Sequence, residues 1–362
     1  MKSKIRIILE KSRLQGLLLS HQPNISYLTG FPSSDSFLLL TARKSFFITD
    51  SRYYQQACLF FRPLAKKPAQ RKRLTEIFKV KLSKESVFDC IAKLAGSAGI
   101  RRLGFEERHL EVAAYRRFKR LLGKVKFIPT KGLVEGLRVI KEPAELVKIK
   151  RAVEIAAQAL RYIRRFIRPG IREIEIAAEL ERFIRYQGAG AASFETIVAS
   201  GKNTAFPHHL TGKRRLEKRD CLFIDIGVDY QGYKSDLTRT LFLGKIPSQL
   251  SRIYEIVRKA QLQAIERIKP GARIEEIDRT ARQYIAKCGY GGFFAHNLGH
   301  GIGLEVHEQP AISSTEKGLL QAGMVFTVEP AVYLPGKFGV RIEDDILVTQ
   351  RGYEVLSHGL DK

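Results

Sequence analysis

Along residues 1 to about 135, short apolar runs alternate with longer stretches in which apolar positions recur every three or four residues. "GLLLS", "SFLLLT" and "SFFITD" have the length and content of strands, and "ESVFDCIAKLAGSAG" and "LEVAAYRRFKRLLG" have the spacing of helices buried on one face. The pattern predicts a small α/β domain over 1–135 with no catalytic constellation of its own. Residues 136–142 read as a linker. "VIKEPAELVKIKRAVEIAAQALRYIRRFI" then opens a long amphipathic helix near Glu142, with Pro143 suited to its first turn. A second domain is expected over 143–362.

That second domain contains a faint internal repeat. "RPGIREIEIAAELERFIRYQGAG" (168–190) is similar to "KPGARIEEIDRTARQYIAKCGYGG" (269–292): a Pro-Gly, an amphipathic helix, a Gly-rich exit. After each copy comes an acid-bearing strand pair. The first, "CLFIDIGVDYQGYKSDLTRTLFL", carries Asp225 and Asp236; the second, "MVFTVEPAVYLPGKFGVRIEDDILV", carries Glu329 and Glu343. Taken singly, each carboxylate reads as a strand-end salt bridge. Four at matching positions of two half-repeats, in or beside apolar strands where an unpaired charge is expensive, call for a compensating positive charge. Two divalent cations would neutralise them, held at the centre of a pseudo-twofold arrangement.

A nitrogen donor is available in "HNLGHGIGLEVHEQP" (296–310), where His296, His300 and His307 lie among glycines. Gly299, Gly301 and Gly303 allow close backbone approach around His300, which is nominated as the ligand. Hard oxygen donors with one imidazole suit Mn2+ or Co2+ better than a thiolate-rich zinc site, with Zn2+ as the other candidate. Arg341 and Glu343, two residues apart, are expected to face the same cavity from one strand. Asp344 is expected to point to the opposite face and to tolerate substitution.

Composition narrows the remaining choices. Over 362 residues, 44% hydrophobic and 28% charged, the apolar runs are too short and too interrupted by charge for a membrane span, and the amino terminus does not read as a signal peptide. A cytoplasmic protein is expected. Four widely spaced cysteines contain no C-x-x-C pair, which disfavours a zinc ribbon or a disulfide framework. The net charge of +26 gathers in "RPLAKKPAQRKRL" (62–74) and "YRRFKRLLGKVKF" (115–127). No base-stacking motif accompanies it, so the charge implies weak, salt-sensitive attraction to polyanions and no specific nucleic-acid partner.

The series "FETIVASGKNTAFPHH", "SDLTRT", "GHGIGLEVHE", "VEPAVY" and "GVRIEDD" resembles the proline-specific metallopeptidases of the pita-bread fold: Xaa-Pro aminopeptidases and Xaa-Pro dipeptidases (prolidases), related to creatinase and methionine aminopeptidase. "NISYLTGF" and "ITDSRYYQQA" resemble that family's creatinase-like amino-terminal domain, so the likeness covers nearly the whole chain. It implies an α/β (α+β) fold: a carboxy-terminal pita-bread domain with duplicated helix and β-hairpin units, behind a smaller creatinase-like domain.

Carried over by position, the resemblance implies that Asp225, Asp236, His300, Glu329 and Glu343 hold two metal ions, with Asp236 and Glu343 bridging. Glu329 would also accept a proton, and His208, His307 and Arg341 would belong to the catalytic set, with His296 and Tyr333 supporting them. Where the family often has Gly after the first histidine of "PHHL", this chain has His209. The implied activity is removal of an N-terminal residue before proline by a homodimer or higher oligomer whose amino-terminal domain limits access. The alternatives are an Xaa-Pro dipeptidase and, from another class, a non-catalytic pita-bread protein that binds nucleic acid or chromatin. Methionine aminopeptidase and creatinase activities fit less well, given the extra domain and the intact ligands.

Overall fold

The computed structural model describes residues 2–32, 34–61, 78–82 and 86–361; the basic run 62–74 lies outside the described residues. The chain forms two compact units, 1–137 and 138–362.

The first unit is built on a six-stranded sheet in the order Phe78–Leu82, Ser45–Thr49, Ser36–Thr41, Gly16–Leu19, Arg102–Glu106, Lys126–Thr130. The three apolar runs picked out from the sequence are its antiparallel centre. The outer strands join in parallel. Alternate residues feed two separate cores: Leu17, Leu19, Leu38, Leu40 and Phe47 point to one, and Leu18, Leu39, Phe46 and Ile48 to the other. Helix Val87–Ser97 contributes Ile91 and Ala95 to the second core. Burial on both faces explains why these strands are continuously apolar rather than alternating.

In the second unit the long helix is Pro143–Ile163, and Glu142 caps it. Glu145 Oε2 accepts the Glu142 backbone N–H at 2.9 Å, closing a capping box that fixes where the helix starts. Arg138 and Lys141, within the stretch read as a linker, are buried and pair with Glu308.

The internal repeat is visible in the backbone. Gly170 N–H donates to Leu216 O and Gly271 N–H to Leu320 O, each at 2.8 Å; Leu216 and Leu320 return bonds to Ile171 and Ala272 at 2.8 and 2.9 Å. The helices that follow are Glu173–Tyr186 and Ile274–Lys287. Each half has its own core. One packs helices Pro143–Ile163 and Glu173–Tyr186 on strands Cys221–Ile226 and Leu237–Phe242. The other packs helices Ser248–Ile265 and Ile274–Lys287 on strands Val325–Val328 and Asp344–Val348.

The second acidic hairpin is interrupted at its functional positions. Val328 pairs with Asp344, and the same register resumes with Ala331 opposite Arg341. Between these ladders Glu329 and Glu343 would face each other, but neither bonds to the other strand. Glu329 N–H goes to Leu298 O at 2.8 Å, and Glu343 N–H to Thr238 O at 3.1 Å. Pro330, which has no N–H, sits in the gap and cannot restore the ladder. Arg341 and Glu343 therefore do not share a strand, contrary to the sequence expectation: one strand ends at Arg341 and the next begins at Asp344. The break frees both carboxylates to turn inward. Among the described residues no helix is long and apolar enough to cross a membrane.

Candidate metal centre

The two halves are stitched together where the acids converge. Besides the Glu343 to Thr238 backbone bond, Asp236 N–H donates to Asp345 Oδ2 at 3.1 Å, and the Thr238 hydroxyl donates to Glu343 Oε2 at 2.6 Å. Asp225 lies in the strand paired to Thr238, and Asp236 immediately precedes that partner strand. One cavity of about 780 Å3 is lined by Asp225, Asp236, Glu329, Glu343 and His300. His208, His296, His307 and Arg341 line it too. Tyr333 sits behind them: its hydroxyl accepts from Arg341 Nη1 at 2.8 Å and lies 3.3 Å from His296 Nε2.

His300 occupies the short strand Gly299–Gly301, at a bulge. Its Nδ1 faces Gly301 O at 3.2 Å, which turns Nε2 to the acids, 3.4 Å from Glu329 Oε1 and 3.6 Å from Asp236 Oδ2. This strand needs its glycines. A Cβ at Gly299 would fall 1.9 Å from Thr327 O and one at Gly301 2.2 Å from Gln309 O, both backbone atoms that cannot swing away. Gly299→Ala is expected to displace His300 and to cost several kcal/mol in stability through overpacking, about 1–3 kcal/mol or more. Thermal unfolding and metal content of the variant check this; a wild-type melting curve would refute the packing argument.

The adjacent histidines divide their roles. His209 Nε2 meets the buried Glu173 carboxylate at 2.9 Å, and that carboxylate also accepts from Ser200 N–H at 2.8 Å and Asn203 Nδ2 at 3.0 Å. Both histidines border the cavity, but His209 is tied to Glu173 and anchors its loop, whereas His208 is exposed.

Residues 147–350 match Metallopeptidase family M24, and residues 2–140 match the Creatinase/Prolidase N-terminal domain. The chain belongs to metallopeptidase family M24. It is 34% identical to an Xaa-Pro dipeptidase of Pyrococcus horikoshii over 99% of this chain and 97% of the relative. Among solved structures it is similar to an Xaa-Pro dipeptidase from Bacillus anthracis (38% identity, TM-score 0.92, 100% and 98% coverage). It is also similar to an X-Pro aminopeptidase from Thermotoga maritima (36% identity, TM-score 0.84, 96% and 97% coverage). The amino-terminal unit is thus a creatinase-like domain and the second unit a pita-bread hydrolase domain.

In this M24 peptidase the donor set fits divalent metal ions. Oδ1 of Asp225 and Oδ1 of Asp236 are buried and accept no hydrogen bond, an arrangement costly for carboxylates unless a cation takes the lone pairs. Donor atoms of Asp236, His300 and Glu343 all lie within 4.8 Å of one another. Burial, then repulsion from neighbouring acids, pushes the carboxyls of Asp236 and Glu343 well above their usual range. Burial raises Glu329 to about 8. Burial also lowers His300 and His296 to about 4, so both rings are neutral near pH 7 and able to offer a lone pair. The buried Arg341 guanidinium pairs with Asp225; burial opposes its charge, but Tyr333, Asp225, Glu329 and Glu343 outweigh that.

Sequence reading passed over the groups that hold these side chains. Thr238 clamps Glu343 and also accepts from Arg341 Nε at 3.0 Å, and Thr327 accepts the His300 N–H at 3.1 Å. Threonine in a β-strand is so ordinary that only its partners reveal the role. Asp344 is a clear correction: it does not face a tolerant surface but is fully buried. It pairs with Arg239 Nη2 at 2.6 Å, accepts from Gln261 Nε2 at 3.0 Å and also accepts from Ser357 Oγ.

Proposed function

We propose that this peptidase removes an N-terminal residue from peptides with proline at the second position. The observation that carries the reading is the convergence of four carboxylates and a neutral imidazole on one cavity of about 780 Å3. That volume is near the upper end of small-ligand sites, roughly 300–1,000 Å3, and exceeds what an Xaa-Pro dipeptide fills. The named Xaa-Pro dipeptidases among its relatives favour the second reading, a prolidase.

Asp225, Asp236, His300, Glu329 and Glu343 would hold two divalent ions, Mn2+ first by the oxygen-rich donor set, with Co2+ or Zn2+ as alternatives. Such ions, when bound, polarise a carbonyl and bring the deprotonation of water toward neutral pH. The chain's own groups do the rest. Glu329, which lines the cavity with its Oε1 3.4 Å from His300 Nε2, takes the proton of the attacking water as the carboxylate. His307, its ring 4.2 Å from that of His300, and His208 donate to the carbonyl oxygen as negative charge develops there. Arg341, fixed by Tyr333 and by Pro207 O at 3.1 Å, pairs with Asp225, and Tyr333 steadies His296 beside Glu329. Because an Xaa-Pro bond is a tertiary amide with no N–H, recognition must rest on its carbonyl oxygen, to which these donors would bind.

The test is hydrolysis of Xaa-Pro dipeptides beside Xaa-Pro-Yaa tripeptides, with metal-stripped protein given Mn2+, Co2+ or Zn2+ separately. Cleavage of tripeptides is expected, with Mn2+ giving the highest turnover. Cleavage of dipeptides alone would establish the prolidase reading, and cleavage of neither would overturn both.

A homodimer or higher oligomer in the cytoplasm completes the proposal. Four free cysteines, including the buried Cys221 and the partly buried Cys58, Cys90 and Cys288, suit a reducing compartment. Light scattering is expected to give at least twice the chain mass at working concentration; a fully active monomer would remove the oligomer.

A further inference from the structure

The amino-terminal unit holds a second cluster of metal-donor side chains, which the sequence hides because its members lie far apart along the chain. The imidazoles of His21 and His109 are stacked, with ring centroids 3.6 Å apart and planes within 9°. His109 Nε2 lies 3.4 Å from Glu135 Oε1. One donor atom from each of the three residues falls within 4.8 Å of the other two.

Stacking alone would be packing. The surroundings add a framework of the kind that orients metal ligands. Asn24 Nδ2 donates to Glu135 Oε1 at 2.9 Å and to Glu106 Oε1 at 2.7 Å. Glu106 Oε2 in turn accepts the backbone N–H groups of Ser20 and His21 at 2.6 and 2.8 Å. Glu106 is therefore committed to fixing the backbone that carries His21, and Asn24 ties it to Glu135. Carboxylate ligands held by hydrogen bonds from outside the donor set are the usual support of a metal site. A cavity of about 10 Å3, room for one water, borders His109 and Glu135 but not His21. Arg108 and Lys131 also border it, but both are exposed and can turn their charges to water.

We propose that His21, His109 and Glu135 form a metal site separate from the catalytic centre, taking a borderline cation of the Zn2+ class. Two nitrogens and one carboxylate oxygen suit such an ion, with water completing its coordination. Cofacial rings cannot both aim an in-plane lone pair at one ion, so binding turns one imidazole about its χ2 torsion, which for histidine is a broad, soft rotation. The closure is small. Zn–N bonds of about 2.0–2.1 Å set donors roughly 3.4 Å apart in a tetrahedral site, and the three donors here already lie within 4.8 Å of one another.

The test uses the full chain with Asp236→Asn and Glu343→Gln, which removes the stronger catalytic site, and Zn2+ alone as the probe. After loading and desalting, elemental analysis is expected to find one Zn2+ per chain, and none when His109→Gln is added. In otherwise wild-type protein, His109→Gln is expected to lower Zn2+ content by one per chain while Xaa-Pro turnover stays unchanged; this second comparison stands should the triple variant fail to fold. Cu2+ electron paramagnetic resonance is expected to show coupling to two ring nitrogens at this site and to one after His21→Asn. Equal Zn2+ content with and without folded His109→Gln overturns the proposal, as does the absence of Zn2+ from the folded double variant.

Discussion

Replacing Glu343 by Gln is expected to empty at least one metal position and to lower turnover by orders of magnitude. Gln keeps the size of the side chain and a hydrogen bond from Thr238, but it removes one negative charge and one good oxygen donor. Glu343 lies within reach of the same point as Asp236 and His300, so the loss falls on the shared centre of the site. Glu329→Gln is expected to be as damaging for activity with a smaller loss of metal, because proton transfer fails as well as coordination. Elemental analysis and Xaa-Pro cleavage, measured on the same preparations, check both. Near-normal turnover with two metals retained in Glu343→Gln would mean that the assignment of this carboxylate is wrong.

The second large effect belongs to the neighbouring residue and has a different cause. Asp344→Asn is expected to destabilise the fold by about 3–5 kcal/mol, the range for breaking a buried ion pair by removing one partner. The Arg239 guanidinium, only 2% exposed, would lose its counter-charge. An amide could not satisfy both of its other partners: one oxygen that now accepts from Gln261 or Ser357 would become a donor facing a donor. For a domain of this size the loss corresponds to a fall of roughly 10 °C in melting temperature. Metal content at low temperature is expected to survive, since Asp344 faces away from the cavity. Calorimetry together with elemental analysis separates this outcome from that of Glu343→Gln. An unchanged melting temperature would refute the claim that the pair with Arg239 carries stability.

The contrast between these adjacent acids shows where sequence reading stops. Glu343 does enter the cavity and Asp344 does not, as the sequence reading expected. Yet Glu343 lies in the break just before the strand that begins at Asp344, so strand parity is not the reason. What lies on the other face is a matter of tertiary packing. Arg239, Gln261 and Ser357 come from a strand, a helix and a terminal turn that no local pattern connects to position 344.

The sequence by itself determined the two-domain plan, the doubled Pro-Gly and helix unit, and the four acids with a histidine that the repeat makes improbable as isolated salt bridges. These are legible because periodicity, turn residues and the cost of burying charge act locally and leave a trace in residue order. The M24 motifs add the family on the same basis. Only the tertiary structure decided that the hairpin ladder breaks at Pro330, so that Glu329 and Glu343 leave it for the cavity. Only the structure tied His209 to Glu173 while leaving the neighbouring His208 exposed. It alone brought His21, His109 and Glu135 together. The physical reason is the same in each case. A hydrogen bond or a shared ion depends on distance in space, and residues far apart in the chain carry no local signal of the partner that folding will supply.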